Sequence, residues 1–128
     1  MNNLTLKKLI EELASITVFI NSFPTDKGSA TKFTVADSEV EGKDLTTYYV
    51  RFLSKGAHPK DVEVELTKVL TALNDKTNYI FDNGKYQLVL ATCDSPTVFY
   101  EGVAGNGEYM YSLEMKIIIL NLGGAASE

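Results

Sequence analysis

The stretch that decides the fold is Tyr109-Met110-Tyr111-Ser112-Leu113-Glu114-Met115-Lys116-Ile117-Ile118-Ile119-Leu120. Its odd-numbered residues are all apolar. Its even-numbered residues are polar in the middle, at Ser112, Glu114 and Lys116, and apolar at the end, at Ile118 and Leu120. Side chains alternate across a strand, so this pattern predicts one strand of about twelve residues, twice the usual length. A strand apolar on both faces is central in its sheet or covered by something else. Just before it, Asn106-Gly107 is a strong two-residue hairpin signal. Thr97 to Val103 reads as the preceding strand, so the chain ends in a long β-hairpin.

Upstream, Tyr86 to Thr92 is a further strand after the turn signal Asp82-Asn83-Gly84. Val62, Leu66, Val69, Leu70 and Leu73 recur with helical spacing, and Pro59 suits a first helical position, giving a helix over 59 to 74. Thr46 to Leu53, Lys32 to Val40 and Ile16 to Phe23 read as strands, and Leu6, Leu9, Ile10 and Leu13 mark a helix over 4 to 14. The order is helix, three strands, helix, three strands. Without alternating βαβ units, this predicts an α+β domain: a twisted, antiparallel-rich sheet with both helices packed on one face. The chain is read as a single domain over 1–128, with a frayed tail from about 122 to 128.

The chain has 128 residues, a mass of 14.1 kDa, a net charge of −5 and a pI near 4.9. Arg51 is its only arginine. A protein that binds nucleic acid by neutralising phosphates needs a surplus of cations, so free-standing nucleic-acid binding is not expected. Cys93 is the only cysteine, which rules out an intramolecular disulfide and fits a reducing cytoplasm. The N-terminus does not resemble a signal peptide. The apolar run Ile117 to Leu120 is far short of the ~20 residues of a membrane span, so no membrane partner is expected.

Asp37-Ser38-Glu39-Val40-Glu41-Gly42 matches the opening of a calcium loop, but Tyr48 stands where a bidentate Glu is needed. Asp37, Glu39 and Glu41 instead read as a solvated strand face or an acidic stripe lining a pore. His58 and Cys93 are each unique and cannot supply four zinc ligands, and nothing marks Cys93 as an activated thiol. The glycines from Gly102 to Gly107 precede a strand, not a helix, so they form a hairpin turn and not a phosphate loop. No catalytic, cofactor-binding or metal-binding residue is assigned. Binding or assembly is the default role.

Three stretches carry a family resemblance. They are Val18-Phe19-Ile20-Asn21-Ser22-Phe23-Pro24, the unit Tyr49-Val50-Arg51-Phe52 followed by the helix Pro59 to Asn74, and Ser95 to Gly102 with Asn106 to Leu113. In their order they resemble the small tail terminator proteins of long-tailed bacteriophages, also called phage minor capsid proteins. The chain departs from that pattern in its longer acidic segment, Asp37 to Asp44. The resemblance implies an α+β protein that forms a hexameric ring on the tail tube, stops its polymerisation and makes the surface that docks to the head. It implies no enzymatic activity and no cofactor. The implied partners are other copies of the chain, the major tail tube protein and head connector proteins, with DNA only passing through. The implied location is the tail–head junction of the virion, after assembly from the host cytoplasm. Six copies, each at −5, would carry about −30, a wall that does not hold phosphates. On this reading the contacts fall on Phe23, Asp26 and Lys27 and on Phe99, Tyr100 and Glu108, with Asp37, Glu39 and Glu41 on a lumen or solvent face. The terminal hairpin is expected to be shared between copies. Two alternatives are a head-completion or connector-stopper protein, and a small-ligand-binding domain using Tyr48, Arg51 and Tyr86.

Overall fold

The computed structural model describes residues 1–25 and 28–123. Helix α1 (Asn3–Ala14) starts where the Asn2 side chain accepts a hydrogen bond from the Thr5 N–H at 2.9 Å. It ends at Ser15, which takes the left-handed conformation and donates its N–H to Glu11 O. Lys7 and Glu11 pair at 2.8 Å, and the same carboxylate accepts the Val18 N–H at 3.0 Å, tying the helix to the segment that leads into the sheet. Helix α2 (Pro59–Leu73) begins on its proline and buries Val62, Leu66, Val69 and Leu73.

The strands are β1 (Phe19–Ile20), β2 (Ala30–Val40), β3 (Leu45–Gly56), β4 (Lys76–Phe81), β5 (Tyr86–Thr92), β6 (Phe99–Val103) and β7 (Tyr109–Asn121). They form one sheet in the order β1-β2-β3-β7-β5-β4, with β6 also on β7. All pairs are antiparallel except β1 with β2. This is the α+β architecture expected from the pattern of elements.

The β7 strand is central. One edge pairs with β3 from Leu45↔Leu120 to Gly56↔Tyr109, and the other is divided between β5 and β6. The expectation of a shared terminal hairpin is therefore corrected for this strand: both of its edges are used within the protomer. Of the hairpin, only β6 keeps an outer edge, unpaired among the described residues.

Both helices cover one face of the sheet. Val50 and Phe52 of β3 and Leu113, Met115 and Ile117 of β7 point to that face and are buried, with Phe33 beside Phe52 at 6.3 Å between ring centroids. Gly56 lets α2 approach closely: a Cβ there would lie 2.9 Å from Val62 Cγ2.

Three other details differ from the sequence reading. Ile16 to Phe23 holds only the two-residue β1, because Asn21 turns the chain with φ 65°. A strand, β4, lies where none was expected. The expected frayed tail is anchored at its start, since the Leu122 and Gly123 N–H groups donate to Lys85 O at 2.8 and 3.3 Å. Residues 124–128 lie outside the described residues.

Candidate interaction surface

The second face of the sheet carries no helix. It is built from the odd residues of β3, the even residues of β7 and their neighbours in register. A bulge at Ala36 decides what β2 adds to it. Before the bulge Phe33 and Val35 pair with Phe52 and Val50 and face the helices; after it Asp37 and Glu39 pair with Tyr49 and Thr47 and face away. Without that extra residue the carboxylates would fall on the side of Phe33.

The open face has three regions. At one end, Phe23 lies over it between two ammonium groups, Lys32 Nζ at 4.8 Å and Lys55 Nζ at 5.0 Å from the ring centroid. Lys55 also pairs with Glu108 at 3.3 Å, with side chains only 16% and 12% exposed. Asn106 binds the same carboxylate and accepts the Glu108 N–H at 3.2 Å, closing the β6–β7 turn. Glu108 is thus engaged inside the protomer. Asp26 and Lys27, the other candidates on this loop, lie outside the described residues.

The middle region is charged. Arg51 faces Glu114 across the strands and lies 3.8 Å from Glu101, whose other oxygen takes the Ser112 hydroxyl. Arg51, Tyr49, Lys116, Glu114, Asp94 and Phe99 surround a groove of about 350 Å³. Beside it, the Tyr49 hydroxyl donates to Glu39 at 2.8 Å, and this bond to a carboxylate holds the phenol above its ordinary pKa. Glu41 accepts from Thr47 at 3.2 Å, so Asp37, Glu39 and Glu41 do lie together on this face. Their placement does not make a cation cage: along β2, Ser38 turns to the opposite side from its acidic neighbours. Among the described residues no group of three His, Cys, Asp or Glu side chains could hold a metal ion.

At the far end the face is apolar. Leu45, Leu90, Ile118 and Leu120 are half-buried, and Ile80 is exposed in the same row as Leu120. Next to the open face, β6 exposes Phe99 (47%), Tyr100 (56%) and Val103 (53%). Tyr100 is on the helix side, edge-on to Tyr111 at 5.3 Å. Phe99 pairs with Ser112 on the open side.

The free margins of the sheet are guarded against strand addition. The Ser38 N–H of β2 donates to the Asp37 carboxylate at 2.8 Å, β2 and β6 are bulged, and β4 holds Asn78 at φ 54°. Contacts through side chains on faces suit this molecule better than pairing of edges.

Other sequence candidates separate. His58 is the N-cap of α2, whereas the Cys93 N–H binds Asn74 at the opposite end of that 15-residue helix, about 22 Å away. The buried Cys93 thiol has two acceptors within reach of its single proton, Ser95 O and Glu114 O, and burial pushes its pKa up. Tyr48 and Tyr86 stand on the helix side of the sheet and Arg51 on the open side, so the three-residue ligand set does not converge. The cluster of Lys32, Lys55 and Phe23 escapes a reading of the sequence, because 23 residues separate the two lysines that only the register of β2 and β3 brings to one end of the face.

No helix among the described residues is long and apolar enough to cross a membrane. A scan of the chain against protein-family models finds no match, and a comparison with curated protein sequences finds no relative.

Proposed function

We propose that the chain is a structural protein of a bacteriophage tail, a terminator that caps the tube as a ring of its own copies. In that role it ends tube polymerisation and offers the docking surface for the head, at the tail–head junction of the virion. The observation that carries this reading is the asymmetry of the sheet. Both helices cover one face, and the other is left open beside a strand that exposes Phe99, Tyr100 and Val103. Contiguous exposed apolar patches mark interaction sites, and an uncovered sheet face with an exposed aromatic such as Phe99 beside it supports that reading. The resemblance of the three sequence stretches to tail terminator proteins supports the same reading. So does the acidic stripe Asp37, Glu39 and Glu41, which suits a lumen through which DNA passes unbound.

The test is to mix the purified protein with tail tubes and image the ends by negative stain. Rings on the tube ends are expected. Bare, unchanged ends overturn the reading. Binding to purified head connector in preference to tubes would instead assign it to head completion. The groove of about 350 Å³ near Arg51 favours one further reading, a small-ligand site. A ligand-dependent rise in melting temperature, in a protein that stays monomeric, would select that reading.

A further inference from the structure

The chain holds two Asn-Gly steps, Asn83-Gly84 and Asn106-Gly107, and both lie in exposed turns. Such a step can react with itself. Glycine has no Cβ, so its backbone nitrogen approaches the asparagine Cγ unhindered. The fold treats the two steps in opposite ways.

At Asn106 every reacting group is held. The side-chain amide donates to the Glu108 carboxylate, and its oxygen accepts the Glu108 N–H at 3.2 Å. The attacking nitrogen is engaged too, since the Gly107 N–H donates to Ala104 O at 2.9 Å. Glu108 is fixed in turn by Lys55 at 3.3 Å. At Asn83 these restraints are missing: among the described residues, neither its side-chain amide nor the Gly84 N–H has a hydrogen-bond partner. The turn is closed by the Lys85 N–H on Asp82 O at 3.2 Å. Asp82, Asn83 and Gly84 have φ of 53°, 56° and 82°, so two residues with side chains stand in the left-handed region that disfavours them. Rotating Asn83 out of that region, to bring the Gly84 nitrogen toward Cγ, costs less than breaking the hydrogen bonds at Asn106.

We infer that Asn83 is a site of spontaneous deamidation, and that folding confines the reaction to this one of the two Asn-Gly steps. The Gly84 nitrogen gives its proton to hydroxide and bonds to Asn83 Cγ. The Cγ–Nδ2 bond breaks, and ammonia leaves with a proton taken from water. Water then opens the cyclic imide. Cleavage between Cγ and the Gly84 nitrogen gives aspartate; cleavage between the main-chain carbonyl carbon and that nitrogen gives isoaspartate. Water and its hydroxide are the only co-reactants. Either product adds a negative charge beside Asp82, at a groove that also holds Lys8 and Glu12. Isoaspartate also inserts a carbon into the main chain between Asp82 and Lys85, which breaks their turn bond. Lys85 O is the acceptor for the Leu122 and Gly123 N–H groups, so ageing of the turn loosens that anchor.

The test is to age the folded protein in mildly alkaline buffer and follow the amide-to-acid mass gain in the tryptic peptides 77–85 and 86–116. Electron-transfer fragmentation assigns the residue and separates isoaspartate from aspartate. Asn83 is expected to convert at least about tenfold faster than Asn106, the factor that one or two net hydrogen bonds supply. In guanidinium chloride the two rates are expected to agree within about twofold, because local protection is gone. In Glu108→Ala, shown to be folded by circular dichroism, the Asn106 rate is expected to rise at least about threefold. In aged protein the Leu122 amide is expected to exchange its hydrogen faster than in fresh protein. No conversion at Asn83, equal rates in the folded protein, faster conversion at Asn106, or the same ratio in denaturant would overturn the inference. An unchanged Asn106 rate in Glu108→Ala would overturn the protective role of that carboxylate. Unchanged exchange at Leu122 would overturn the link to the C-terminal anchor.

Discussion

The two faces of this sheet are made by the same strands and differ in nearly every physical respect. On the helix side, Phe33, Phe52, Leu113 and Ile117 are sealed under α1 and α2. On the other side, Arg51, Glu39, Glu114 and Ile80 meet solvent in the isolated protomer. Stability is concentrated on the first face, and the recognition proposed above falls on the second. The alternation of β3 and β7 lets one strand serve both purposes, because neighbouring residues belong to different faces.

That division makes substitutions diverge sharply. Phe52→Ala empties a fully buried ring site and is expected to cost about 3–5 kcal/mol in a urea melt, whereas Phe99→Ala is expected to stay within about 0.5 kcal/mol and to act on assembly instead. Comparable losses from both would erase the distinction between the faces. Gly56→Ala drives a methyl against Val62 Cγ2 and is expected to cost about 1–3 kcal/mol, read by the same melts. Replacing Glu108 by Ala removes the partner of a mostly buried Lys55 and is expected to cost about 1–2 kcal/mol. The exposed Arg51–Glu101 pair is a control on the open face, where Arg51→Ala is expected to cost less than about 0.5 kcal/mol.

The smallest effect is one of pH. Burial works to raise the Glu11 carboxyl, but the Lys7 bond, the Val18 N–H and the Lys7 charge outweigh it and hold the pKa below the ordinary value. A carboxylate lowered in the folded state contributes stability above its unfolded pKa and loses it as pH falls through the folded one. The gap between wild type and Glu11→Gln is therefore expected to narrow from pH 7 to pH 3. A constant gap would mean that the charge of Glu11 does nothing for α1.

Much of the fold is legible in the sequence because its longest elements keep a clean period. The alternation from Tyr109 to Leu120 marks the strand that becomes central, and the spacing from Val62 to Leu73 marks α2. Local chemistry without a period is harder to read. The β4 strand holds a left-handed Asn78 in its middle, which breaks the strand signature. Ile16 to Phe23 has strand composition, yet Asn21 and Ser15 turn the chain on either side of β1. The bulge at Ala36 cannot be seen in composition, although it alone sets the side on which Asp37 and Glu39 appear. The exposed Phe99 and Tyr100 stand out in the sequence. Their surroundings do not, because Arg51, Glu101 and Ser112 come from three strands that only tertiary register aligns.

The most direct test of the open-face account is hydroxyl-radical footprinting of the protein, free and then bound to tail tubes, with side-chain oxidation read by mass spectrometry. The expected result is loss of reactivity at Phe99 and Ile80, with little change at Tyr100 on the helix side and at the exposed Leu4 of α1. Unchanged reactivity at Phe99 and Ile80, with protection at Leu4, would contradict it.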